Sequence, residues 1–215
     1  MGRFLAVEGI DRTGKSTQVE RLATAARAAG LSVAVTAYPL RTAPVTGPLI
    51  DRLLHRDLRL TNHEDPLSQA FATQLIFSLN RREGAAELRV LIAHHDLTIV
   101  SRHALSGAAY AMAEGVGRSD VLRLQHDLES DLPAPELTLM LDADPELLLT
   151  RERMEKMDAI DADLTLQQRV RAAYLSLAQG NTAIERIDAL GSADEVAARL
   201  HDALVRRGML AASVR

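Results

Sequence analysis

Short solid apolar runs alternate along this chain with longer stretches whose apolar residues recur at helical spacing. RFLAV (3–7) is a solid run closed by Glu-Gly and predicts a buried strand. In residues 15–29, Val19, Leu22, Ala23 and Ala26 share one helical face, and Gly30 is a natural stop. LSVAVTAY (31–38), closed by Pro39, predicts a second strand, LTIVSR (97–102) a third, LTLMLDAD (137–144) a fourth and AIERID (183–188) a fifth. Helices are predicted over 45–60, over one long span from Pro66 to about His94, and over 104–114, 118–129, 145–155, 165–179 and 193–207. Ser192 with Glu195 forms a capping-box pattern at the start of the last. The fold class implied is α/β: three layers, with a five-stranded, mostly parallel sheet flanked by helices. The ligand crevice of such a sheet lies beyond the C-terminal strand ends, where Gly9, Pro39, Arg102 and Asp142 fall.

Composition narrows the classes without choosing among them. The 215 residues fit a single domain (1–215), and 47% hydrophobic and 25% charged residues are ordinary for a globular protein. A net charge of -4 argues against a nucleic-acid or anionic-membrane partner, and no segment has the length of a membrane span. The chain has no cysteine, which excludes a disulfide framework, a thiolate metal site and a cysteine nucleophile. A cytoplasmic protein is the expectation.

The chemistry concentrates in VEGIDRTGKSTQ (7–18), where Gly9, Gly14, Lys15 and Ser16 have the spacing of a phosphate-binding loop. The two glycines permit close backbone approach, so the N–H groups from Asp11 to Ser16 can turn toward a polyphosphate at the helix start. Lys15 would bridge the outer phosphates of ATP, and the Ser16 hydroxyl would ligate Mg2+. Lysine is rare elsewhere, Lys156 being the only other one. Asp11 and Arg12 inside the loop suggest that it does chemistry as well as binding.

GIDRTGKSTQ resembles the loop of the thymidylate kinase family, in the version that carries an arginine inside it. The resemblance continues through YPLR (38–41), FSLNRRE (77–83), SRHALSGAAYA (101–111), LPAPELTLMLDADPE (132–146) and LQQRVRAAYLSLA (166–178). It implies a P-loop nucleoside monophosphate kinase that transfers a phosphoryl group from Mg-ATP to dTMP, giving dTDP and ADP, and that works as a homodimer. It assigns the ATP side to Gly9, Ile10, Asp11, Arg12, Thr13, Gly14, Lys15, Ser16 and Thr17, with Arg151 stacking on adenine. For the acceptor nucleotide, a pyrimidine deoxynucleoside monophosphate, it implies Phe77 stacking on the base and Arg81 at the thymine edge. Arg41 and Arg102 would hold the acceptor phosphate, Ser106 the base, Tyr110 the sugar's 2′ side, and Tyr38 and Asp11 the rest of the acceptor site. Catalysis would rest on Asp11, Arg12, Lys15 and Arg102, with Arg12 reaching over the migrating phosphoryl group. MEKMDAIDAD (154–163) corresponds to the family's lid, and Ala159 stands there where arginine is common, in keeping with the loop arginine taking over.

Three departures bear on the acceptor. Ser101 and His103 stand where the signature has aspartate and tyrosine, and Leu40 where some relatives have an acid. Asp142 is a conceivable substitute for the missing carboxylate and is more simply read as a strand-end residue. The departures motivate two alternatives: a kinase for another or modified pyrimidine nucleotide, and a catalytically impaired nucleotide-binding regulatory subunit. Arg82 reads as a surface arginine, and the histidines show no metal-ligand spacing.

Overall fold

The computed structural model describes residues 2–55, 57–61, 65–148 and 164–210. Five strands, β1 (Arg3–Gly9), β2 (Val33–Ala37), β3 (Leu97–Ser101), β4 (Leu137–Asp142) and β5 (Ile184–Asp188), form one sheet in the order β2-β3-β1-β4-β5. All four pairings are parallel, with Val7 opposite Ser101 on one side of β1 and opposite Leu139 on the other. The chain switches sides at β1, so the crevice of this parallel sheet opens at the carboxyl end of β1, where the glycine-rich loop begins.

The helices are α1 (Lys15–Ala28), α2 (Thr46–Leu54), α3 (Pro66–Glu83), α4 (Ala85–His94), α5 (Ala104–Ala113), α6 (Arg118–Glu129), α7 (Leu164–Ala178) and α8 (Ala193–Arg206). A further helical stretch covers residues 145–148, where this described segment ends. The central strands β1 and β4 are enclosed almost along their whole length, which is why they read as solid apolar runs, whereas the edge strands β2 and β5 are partly exposed. Successive β1 residues serve opposite faces: Leu5 and Val7 join the large core with Val19, Leu22, Ala108 and Tyr174, while Phe4 joins a small cluster with Tyr38, Leu88, Ile92 and Val100. The predicted α1 stripe of Val19, Leu22, Ala23 and Ala26 is buried. Ser192 and Glu195 form the reciprocal capping box that starts α8.

Two helix expectations need correction. The span from Pro66 to His94 is two helices, broken at Gly84. A Cβ on Gly84 would lie 2.1 Å from Leu40 Cδ1 and 3.0 Å from the Tyr38 hydroxyl, so the segment after β2 packs directly onto the break. Helical periodicity carries no sign of such a partner. The second helix is α2, which stops at Leu54, not near residue 60. Its last turn closes through bonds from His55 N–H to Asp51 O and from Asp57 N–H to Arg52 O.

Candidate active site

The loop between β1 and α1 folds tightly around its own carbonyls. Gly9 has φ 140°, and a Cβ there would sit 2.4 Å from Leu141 O, so glycine is required by both conformation and contact. Ile10 is buried and its carbonyl accepts the Thr13 hydroxyl at 2.9 Å and Lys15 Nζ at 2.5 Å. Gly14 caps α1 in the left-handed region, and Ser16 and Thr17 stand exposed on its first turn. Arg12 also adopts a positive φ, 68°, an arrangement that costs a non-glycine residue about 1–3 kcal/mol and recurs at functional turns.

Lys15 is only 8% exposed. Burial, reinforced by the nearby Arg102, pulls its ammonium down to about 7 against the opposing influence of Asp11 and Glu8. A cationic side chain held this way, doubled back on a carbonyl at a helix N-terminus, is a binding group for an anion that would relieve it.

Arg102 follows β3 with φ 62°, its N–H bonded to Val7 O at 2.9 Å. Its guanidinium reaches Gly9 O at 3.3 Å and Ser106 Oγ at 3.2 Å, pairs with the Asp11 carboxylate, and lies 5.6 Å from the centre of the Tyr110 ring. Asp11 also accepts Tyr110 Oη at 2.9 Å and Gln167 Nε2 at 3.2 Å, while its own N–H donates to Gln167 Oε1. Burial pushes the Asp11 carboxyl up, but Arg102, Lys15 and these two hydrogen bonds outweigh it and hold the group below the usual value. Tyr110 is pushed up to about 12, chiefly by burial, and so remains a phenol that donates. Asp11, Lys15, Arg102 and Tyr110 therefore converge at one mouth, with Gln167 of α7 closing the cluster from the far side.

Beneath them lies a residue that the motif reading passed over. Glu8 is fully buried, and its carboxylate accepts the N–H groups of His103 at 2.6 Å and Ser106 at 3.2 Å, the Tyr174 hydroxyl at 3.0 Å, and the Ser106 hydroxyl. A charged residue inside the run RFLAVEG was the available signal. In the β1–β3 register Val7 lies opposite Ser101, so Glu8, one residue further on, points to the other face of the sheet from Ser101. Ser106 is spent on Glu8, Arg102 and Tyr174, whose hydroxyl is 2.7 Å away. It braces the mouth and has no donor left for a base. His103 packs edge-on against Phe4 and Tyr38 and is drawn down to about 3 by burial, with Arg81 adding to the shift. It is a neutral aromatic filler in place of tyrosine.

The remaining residues expected at the acceptor lie on α3 and in the segment after β2. Phe77 is half-buried and belongs to neither core cluster, so its ring is not consumed by packing. Arg81 is 3% exposed and gripped by Glu129, with Nε and Nη2 at 2.7 and 2.6 Å and a further bond to Ser78 Oγ at 3.2 Å. Among the described residues its Nη1 makes no hydrogen bond. Asn80 clamps the YPLR segment, bonding Leu40 N–H at 2.7 Å, Leu40 O at 2.9 Å and Thr46 Oγ1 at 2.8 Å. Glu83 caps α2 from outside through the N–H groups of Val45 and Thr46. Arg41 stands exposed on the clamped loop, paired with Asp51 at 2.6 Å. Tyr38, expected at the acceptor, is instead packed into the small core cluster, its hydroxyl near Gly84. Asp142 accepts Arg171 Nε at 2.7 Å and Arg186 Nε at 2.8 Å, which makes it the strand-end anchor of α7 and β5. Arg82 makes a surface pair with Asp131, as read. Arg151 and the lid segment 154–163 lie outside the described residues.

Among the described residues, no cluster of three or more acidic or histidine ligands could cage a metal, and no helix is long and apolar enough to cross a membrane. Residues 7–200 match the family model described as thymidylate kinase. A thymidylate kinase from Mycobacterium tuberculosis is 32% identical over 188 residues, covering 81% of this chain and 85% of that protein. One from Deinococcus radiodurans is 33% identical over 216 residues, covering 96% and 98%. A solved thymidylate kinase from Candida albicans superposes with a TM-score of 0.74 at 27% identity, over 97% of this chain and 93% of that one. With this sheet order, this loop and these relatives, the chain belongs to the thymidylate kinase family, on a P-loop NTPase fold.

Proposed function

We propose that the protein transfers the γ-phosphoryl group of ATP to dTMP. The observation that carries this reading is the convergence of Lys15 and Arg102 on the glycine-rich loop, with Asp11 bonded to Arg102, Tyr110 and Gln167 between them. Two cations are held in a partly dry mouth ahead of any ligand, an arrangement preorganised for phosphate charge. ATP lies with its phosphates along the N–H groups of residues 11–16, and Lys15 spans the outer two. The acceptor base stacks on Phe77, the free Nη1 of Arg81 donates to its O4, and Arg41 and Arg102 hold its phosphate in line with the donor. Tyr110 and Asp11 face the sugar. Arg12 stabilises the charge on the phosphoryl group as it moves between the two oxygens.

Mg2+ fits the donor set here: it requires few protein oxygens and keeps several waters, and the exposed Ser16 hydroxyl beside the loop offers one oxygen. Once bound with the nucleotide, it neutralises charge that develops on the phosphates. Apolar residues left exposed on α3 and α6, such as Leu67, Phe71 and Leu122, support pairing of two copies. No observation favours a different acceptor or a loss of turnover, and His103 fills the tyrosine position as a neutral ring.

The test is ADP release with Mg-ATP and dTMP, for the native protein and for Arg12→Ala. Turnover that depends on dTMP is expected, and kcat in the variant should fall about 10³-fold or more with ATP binding retained. ATP turnover indifferent to dTMP, or a variant as fast as the native chain, refutes the reading.

A further inference from the structure

One polar side chain on the acceptor side has no use in the scheme above. Gln74 of α3 is 2% exposed, and its Nε2 is enclosed without a hydrogen-bond partner. Among the described residues its Oε1 makes no hydrogen bond either. Leaving a buried amide unsatisfied is costly, and native structures avoid it unless the group has another use. Space has nevertheless been made for it. A Cβ on Gly107 of α5 would lie 2.6 Å from Gln74 Oε1 and 2.8 Å from Nε2, so the amide occupies its present position because residue 107 is a glycine.

The helical frame relates this amide to the proposed base site. Gln74, Phe77 and Arg81 follow one another at i, i+3 and i+7 on one face of α3. Gly107 on α5 directly follows Ser106 and precedes Tyr110 by three positions. The amide thus sits in the α3–α5 seam, one turn from the Phe77 ring and on the side of α5 that bears Tyr110.

We infer that Gln74 is a specificity residue for the acceptor base, reading its imide edge. This rests on the dTMP kinase reading. A thymine stacked on Phe77 presents O4, N3–H and O2 along one edge, an acceptor, a donor and an acceptor. A carboxamide carries one donor group and one acceptor side by side and matches N3–H together with a neighbouring carbonyl. The terminal amide torsion is soft, so the group can turn to meet the ring. Arg81 can only donate, so it demands a carbonyl at O4 and opposes the amino group of cytosine. With O4 fixed in that way, Gln74 Oε1 accepts N3–H and Nε2 donates to a carbonyl. The polar atoms left unpartnered in the ligand-free protein find their partners when the base arrives.

The test compares Gln74→Met, which preserves bulk, and Gln74→Ala with the native protein, using dTMP and its N3-methylated analogue as acceptors. The native enzyme is expected to use dTMP and to reject the N3-methyl compound at least 100-fold in kcat/KM. Gln74→Met should raise the KM for dTMP about tenfold, with the KM for ATP unchanged and kcat within about threefold. Gln74→Ala removes the acceptor and opens space, so its discrimination against N3-methylation should shrink at least tenfold. A merely structural amide would move none of these ratios, because an apolar replacement of an unsatisfied group is neutral or stabilising. If the native enzyme uses dTMP while both variants keep its KM within twofold and reject the N3-methyl compound as strongly, the inference fails and the kinase reading stands. If the native enzyme does not use dTMP at all, the kinase reading itself fails.

Discussion

Replacing Glu8 by glutamine tests the buried support of the active-site mouth. The carboxylate accepts four hydrogen bonds from three residues, two from backbone N–H groups and two from hydroxyls. A glutamine can keep its oxygen on His103 N–H and Ser106 N–H and turn its NH2 toward the hydroxyls of Ser106 and Tyr174, which can accept. Shape and bond count survive, and charge assistance does not. Hydrogen bonds to a charged group contribute about 1.5–3 kcal/mol and neutral ones about 0.5–1.5, a difference of about 1 kcal/mol for each bond. With partial relaxation of the four, Glu8→Gln should destabilise the fold by about 3 kcal/mol. For a chain of this size that is a fall in Tm of roughly 6–12 °C. Urea unfolding with matched m-values measures it. Because Glu8 and Ser106 share these bonds, the loss in Glu8→Gln combined with Ser106→Ala should fall short of the sum of the single losses by about 1 kcal/mol or more. The same turn carries Arg102, so kcat should fall as well. A Glu8→Gln protein within about 0.5 kcal/mol of the native one, or strict additivity with Ser106→Ala, would refute the argument that this carboxylate holds the site together.

Two further outcomes follow from the site. Lys15 titrates at about 7 without ligand because burial and Arg102 oppose its charge, and bound phosphate must raise it. Between pH 7.5 and 9, ATP binding should therefore take up a proton and weaken by as much as about tenfold per pH unit. Calorimetry in buffers of different ionisation enthalpy reads the uptake directly, and zero uptake at pH 8 contradicts the shift. Phe77→Ala should raise the KM for dTMP by about 5- to 100-fold, the value of a base stacked on an aromatic ring, with the KM for ATP unchanged. Its stability should change by less than about 1 kcal/mol, since Phe77 lies outside both core clusters; a loss of 3 kcal/mol or more would identify it as a core residue instead.

The parts of this molecule legible in its sequence are those specified by neighbours along the chain. Strands enclosed on both faces must be solidly apolar, and a phosphate loop needs glycines at fixed spacing because backbone conformation is a local matter. The break at Gly84 was hidden because its cause, the approach of Leu40 and Tyr38, lies more than forty residues away in the chain. Arg81, Ser106 and Tyr38 were visible as residue types, but their partners were not. Whether an arginine is free to meet a ligand depends on whether something like Glu129 already holds it, and nothing near Arg81 in sequence says so.

This difference also bears on how the site divides its labour. The residues proposed for the donor side come from one short segment, so a motif is enough to mark them. The residues proposed for the acceptor side are held by others: Asn80 and Glu83 fix the Arg41 loop, Glu129 orients Arg81, and Gln167 and Tyr110 steady Asp11. Such indirect support tolerates exchange of individual residues as long as the shape and charge of the wall persist. At the two departures, Ser101 ends β3 opposite Val7, and His103 packs edge-on against Phe4 and Tyr38 as a neutral ring. The glycine-rich loop depends instead on its own backbone conformation, with positive φ at Gly9, Arg12 and Gly14.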